Sequence, residues 1–205
     1  MMIDFNLIYE KAKLVLISPN KFFKKYKKEK GLKEAFVYFA VLSFISVILG
    51  IIGHYLFSPY YSYLVKSIFK INYTARNMPL NLLVITYLIG WVLALITGFI
   101  SAGFLHIYLL IFGGKAKYED TYRLYSYSLT PVFLVKWVPV IGRFVTLWEI
   151  ALLIIGTQKI HKMSRNKAIL IYVIPLLLIL LLIVIIFLTV IPLVKTQLVN
   201  SVYTK

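Results

Sequence analysis

The chain has no cysteine, which excludes disulfides, iron–sulfur clusters, thiolate zinc sites and thiol catalysis. Acidic residues are nearly as scarce, with seven Asp and Glu among 205 residues. Only Glu149 falls deep within an apolar stretch, so paired-carboxylate acid–base chemistry and multi-carboxylate metal sites lack their raw material. No His-Glu-x-x-His, Gly-x-Ser-x-Gly or phosphate-binding Gly-x-x-x-x-Gly-Lys-Ser/Thr is present, and no span carries paired aspartates. No catalytic residue, metal or cofactor is expected, and the chain is read as a non-enzyme. Charge of any sign is sparse: 15% of residues are charged and 61% are hydrophobic. A soluble domain holds about a quarter charged residues and about half apolar ones.

What is abundant lies in long apolar blocks, with a mean hydropathy of +0.87. That pattern specifies an all-α, polytopic membrane protein. No linker separates the blocks, so one bundle is expected. The formal net charge of +16 comes without a helix-turn-helix, zinc or RNA-binding motif, so nucleic acid is not an expected partner. On a membrane protein such lysines fix topology and meet anionic headgroups. Residues 1–19 carry Asp4 and Glu10 and lack a clean apolar core with a small-residue cleavage site, so no signal peptide is expected.

Residues 1–33 form a basic N-terminal segment and 34–205 the membrane domain. Phe5, Ile8, Tyr9, Ala12 and Leu16 recur at helical spacing and predict an amphipathic helix in the membrane interface. Spans are expected at about 34–57, 80–112, 124–138, 143–160 and 168–194, five helices in all. Ser58-Pro59 is expected to close the first span, with a short interfacial helix following around Leu64 to Lys70. Asn72-Tyr73-Thr74 matches a glycosylation acceptor triplet. The fifth span has no glycine, which predicts a lipid-facing position at the bundle edge. Sixteen Lys and Arg fall on the side of the N-terminus and six on the other, which predicts a cytoplasmic N-terminus and an outside C-terminus. A four-span alternative, with 124–160 as a re-entrant hairpin, would move Lys159 to Lys167 outside, against that rule.

Three groups of residues stand out. Gly90, Ala94, Gly98, Ala102 and His106 follow at intervals of four, forming a ridge that permits close helix packing. Lys136-Trp137 and Trp148-Glu149 mirror each other about Gly142-Arg143. An ionisable group in an apolar layer needs a partner, so Lys136 and Glu149 are expected to pair, with the tryptophans as interface anchors. The alternatives are an outward-snorkelling Lys136 with Glu149 on a hydroxyl, or a transport site. Lys21, Lys24, Lys25, Lys27, Lys28 and Lys30, interleaved with aromatics, form a basic surface for anionic lipid headgroups or acidic partners.

Beyond these, the order Tyr125-Ser126, Pro131, Pro139-x-x-Gly142, Trp148, Gly156, His161, Ser164 and Lys167-Ala168 resembles the Ypt/Rab-interacting protein (Yip) domain family. Ser18-Pro19-x-x-Phe22-Phe23 and Gly31 fit the same pattern upstream. The resemblance implies a five-helix bundle with the N-terminus cytoplasmic and the C-terminus outside or lumenal. Eukaryotic members are associated with Rab-type GTPases and vesicle traffic, often as oligomers, through a longer cytoplasmic N-terminal region. This short chain is more similar to prokaryotic or archaeal members. The function expected is a membrane organiser or adaptor that binds lipids or protein partners, or itself. The alternative is a small transporter or channel with a polar path through His106, Lys136 and Glu149.

Overall fold

Local sequence signals set where the first helices begin and stop. The computed structural model describes residues 4–69 and 79–203, so the Asn72-Tyr73-Thr74 triplet lies outside the described residues. Helix α1 spans Phe5–Ile17; its N-cap Asp4 accepts a hydrogen bond from the Leu7 N–H at 3.0 Å. Ser18 breaks it, and Pro19, with no N–H to lose, starts α2, Pro19–Tyr26. The buried face of α1 is Ile8, Lys11, Ala12 and Val15, whereas Phe5 and Tyr9 of the expected apolar stripe are exposed. The helix therefore packs on protein through a face that includes a lysine.

The first long helix, α3, runs Lys33–Phe69 and continues through Pro59. This corrects the expectation that Ser58-Pro59 ends the span and that a separate helix follows. A proline removes only one i→i−4 bond, and an apolar helix of this length keeps its path despite that loss. Helix α4 spans Leu80–Ile111.

The third apolar stretch is divided into α5, Tyr118–Ser128, and α6, Thr130–Val135. Pro131 explains the break: it cannot donate to the Tyr127 carbonyl four residues back. The Thr130 hydroxyl takes that acceptor instead, at 2.6 Å, and also meets Tyr38 Oη at 2.7 Å. Helix α7 spans Ile141–Ile160 and α8 Arg165–Tyr203. Four helices, in α3, α4, α7 and α8, are long and apolar enough to cross a membrane among the described residues. The described residues contain helices and no strand. The protein is an all-α membrane protein. Residues 1–164 form one compact unit and 165–205 a second. In the second, Leu, Ile and Val side chains from 176 to 188 are exposed along α8, as a lipid-facing helix requires.

Within the first unit, the turn between α6 and α7 departs from the mirror-symmetric hairpin. Val140 has φ 64° and ψ −67°, and Ile141 N–H donates to the Pro139 carbonyl at 2.7 Å. This is a strained γ-turn. A side chain at Gly142 would run into the backbone of Lys136, so only glycine allows the two segments to touch there. Lys136 is thereby level with Gly142, and Glu149, seven residues further along α7, stands about 10 Å away along the helix axis. Lys136 and Glu149 make no direct ion pair, although Lys136 is near enough to favour the Glu149 charge electrostatically. Trp137 packs against Gly53 and Phe57, while Trp148 is 45% exposed.

The small-residue ridge of α4 is closed over only part of its length. Gly98 lies against the Phe39 ring, Ala102 is fully buried and His106 is hydrogen-bonded. Gly90 has nothing within 4 Å of where a Cβ would stand.

Candidate functional site

The aromatic and basic residues of α2 and of the short stretch after it separate into a buried and an exposed set. Phe22 and Phe23 are fully buried, while Lys21, Lys24, Lys25, Lys27, Lys28 and Lys30 are all exposed. Phe22 packs edge-on against Tyr127 with ring centroids 4.9 Å apart, and Tyr127 in turn meets Tyr38 at 4.9 Å. Phe23 reaches α7: a Cβ on Gly156 would lie 3.0 Å from its ring and would also strike Leu124 of α5. Gly156 is therefore the seat of Phe23. Two buried aromatics contribute several kcal/mol of burial, enough to fix a short helix that is too small to be stable alone.

A buried ion cluster secures the same segment. Lys11 Nζ lies 2.6 Å from Glu29 Oε1 and 2.7 Å from Glu34 Oε2. It also reaches Tyr127 Oη at 3.4 Å, and that hydroxyl donates to Glu29 Oε2 at 2.6 Å. The Tyr26 ring faces the ammonium at 5.1 Å. All three ammonium donors thus have acceptors, the condition for keeping a charge in an apolar site. The cluster joins α1, the residues after α2, the start of α3, and α5. A second tie runs from Arg123, which donates to the Gly31 carbonyl at 2.9 Å and pairs with Asp120. Gly31 has φ 71°, a conformation that suits glycine.

At the same end, Thr121 of α5 bridges two histidines. Its hydroxyl lies 2.8 Å from His106 Nδ1 and 3.0 Å from His161 Nε2. Burial, with His106 beside it, pushes the His161 imidazole down to about 4. At neutral pH His161 is therefore uncharged. Its Nδ1 is buried against Gly114 without a hydrogen-bond partner among the described residues. The bridge ties the last turns of α4 and α7 to α5.

These elements, an N-terminal Ser-Pro helix seated on a glycine of α7 and a proline-broken α5–α6 pair, span most of the chain. A family model described as the Yip1 domain matches residues 13–187. The chain belongs to the Yip1 domain family. No curated protein and no solved structure matches it.

The residues that carried the resemblance occupy defined positions in the Yip1 domain. Tyr125 stacks on Phe39 at 6.3 Å, Pro131 opens α6, Pro139 begins the γ-turn, and Gly142 just after it packs on the Lys136 backbone. Gly156 seats Phe23, and His161 closes the Thr121 bridge. Trp148, Ser164 and Lys167 are exposed. His106 stands apart from Lys136 and Glu149, and those two act on each other electrostatically without a direct ion pair. His106 is bonded to Thr121, Lys136 lines a cleft with His54, and Glu149 is half-buried on α7.

Lys11, Glu29, Glu34, Tyr127 and Thr121 were not singled out by sequence reasoning. A signal for Lys11 was available, because it falls on the Ile8, Ala12, Val15 stripe, where a lone lysine at a buried helical position demands a partner. Tyr127 and Thr121 offered none, since their roles depend on contacts 98 and 40 residues away.

Proposed function

We propose that this Yip1-domain protein is a non-enzymatic membrane organiser that holds acidic partners, anionic headgroups or acidic protein segments, on its α2 lysine face. The observation that carries this reading is the division of α2 and the four residues after it into buried Phe22 and Phe23 and six exposed lysines, three on the helix and three beyond it. Lysines on a loose tail would serve topology equally well. A helix anchored at its aromatics, followed by a stretch that Lys11 clamps through Glu29, presents them as a fixed surface. The face is proposed to be cytoplasmic. Supporting this, Gly31, Thr121, Arg123, Gly156 and His161 meet at one end, which gathers the Lys- and Arg-rich segments together. A solute path through His106, Lys136 and Glu149 has less support, since His106 is bonded to Thr121 at the other end of the unit from the Lys136 cleft.

The test uses protein reconstituted into vesicles, offered protein-free vesicles containing phosphatidylserine or a soluble poly-glutamate peptide. Each lysine near an anionic surface contributes about 1 kcal/mol at low salt. Replacing Lys21, Lys24, Lys25, Lys27, Lys28 and Lys30 by glutamine should abolish binding of at least one probe, and added salt should weaken the wild type. Equal binding by the substituted protein would refute the proposal.

A further inference from the structure

At the end of the first unit away from α2, two clefts adjoin each other. One, of about 370 Å³, is lined by Lys136, His54, Tyr61, Tyr87 and Trp137. The other, of about 380 Å³, is almost entirely apolar and is lined by Val47, Gly90, Trp91, Ala94 and Phe133. Ser46 and Tyr87 belong to both, so the two are continuous. Each is within the size of small-ligand sites.

The polar cleft has the chemistry of an anion site. Lys136 is exposed and makes no ion pair among the described residues, and no carboxylate lines the cleft with it. The His54 Nε2 atom is buried with no hydrogen-bond partner among the described residues. A buried polar atom without a partner is costly, and a ligand that supplies one is favoured. Tyr87 Oη is already committed to the Gly50 carbonyl at 3.2 Å, which leaves Lys136, His54 and Tyr61 as available donors. The apolar cleft exists because Gly90 and Ala94, the outer part of the small-residue ridge, carry little or no side chain.

We propose that the paired clefts bind one phosphate-headed lipid, its phosphate held by Lys136 and His54 and one acyl chain lying over Gly90 between Trp91 and Phe133. This site is independent of the α2 lysine face. Phosphate suits the donors because it accepts several hydrogen bonds at once and brings a negative charge to Lys136, which makes no direct ion pair.

Trp91 and Trp137 report on the two halves. In a Trp148→Phe background, detergent-solubilised protein is titrated with phosphatidylglycerol carrying brominated acyl chains, which quench nearby indoles. The expected result is saturable quenching dominated by Trp91. Lys136→Gln should weaken the apparent affinity by about tenfold, the loss of one charge-assisted hydrogen bond. Gly90→Leu should abolish the Trp91 quenching without lowering the melting temperature, because the site has open space and leucine favours helix. A brominated monoacylglycerol, with the same tail and no phosphate, should quench without saturating. Non-saturable quenching by phosphatidylglycerol, or quenching indifferent to both substitutions, would overturn the proposal. So would millimolar inorganic phosphate alone stabilising the protein as much as the lipid does, which would leave a free-anion site.

Discussion

Phe23→Ala is expected to release the N-terminal segment from the bundle. The ring is 1% exposed and fills the space above Gly156 and beside Leu124. Deleting a buried phenylalanine costs about 3–5 kcal/mol, combining lost transfer energy with the cavity left behind. Here the loss falls on a helix of eight residues whose other buried side chain is Phe22. Local opening of α2 should therefore become far more frequent while the long helices stay folded. Trypsin cleavage at Lys21, Lys24 and Lys25, inside the helix, reads this directly, because proteolysis follows the population of the open form. At the low end of the range the rate should rise by about a hundredfold. Gly156→Leu should have the same effect from the other side, by occupying the seat of the ring. Unchanged cleavage in both variants would mean that α2 is held by something other than this contact.

Lys11→Met should destabilise the protein by a comparable amount for an electrostatic reason. The substitution removes the cation from between Glu29 and Glu34 and leaves Tyr127 with the two carboxylates. Removing one partner of a buried ion pair costs about 3–5 kcal/mol, because the remaining charge is buried without compensation. The Glu34 side chain is 57% exposed and can turn to solvent, whereas that of Glu29 is only 14% exposed, so Glu29 carries most of the penalty. The expected result is a large drop in melting temperature in detergent for Lys11→Met. Lys11→Met combined with Glu29→Gln should recover a substantial part of it. No recovery in the double variant would show that Lys11 acts by packing its methylene stem and not through its charge.

Much of the fold was legible in the sequence, because helix length and apolar content in a membrane are local properties. Helices α4 and α7 begin and end within a few residues of their expected spans, and the division at Pro131 lies inside the expected third span. Pro59 misled because its effect depends on context: a proline ends some helices and only interrupts the hydrogen-bond ladder in others. The mirrored hairpin drew Lys136 and Glu149 into a direct contact, closer than they stand, for a geometric reason. Symmetry about Gly142 placed Lys136 beside Glu149 only if both arms were helical up to the turn, whereas α6 stops at Val135 and the following residues press against Gly142.

The candidate site was half legible. The basic run and its interleaved aromatics were visible as composition, but periodicity could not say that Phe22 and Phe23 point into the protein and not into lipid. Both environments reward the same aromatic face. The Lys11 cluster depended on Glu29, Glu34 and Tyr127 being brought together from three parts of the chain, information held in the tertiary fold and not in any local pattern.

The central claim is that α2 is docked on protein through its aromatics, with its lysines facing out. A diazirine-bearing phenylalanine at position 23, photoactivated in the native membrane and analysed by mass spectrometry, tests it most directly. The account predicts crosslinks to α7 around Gly156 and to α5 around Leu124. Crosslinks to lipid alone would contradict it and return α2 to the membrane surface.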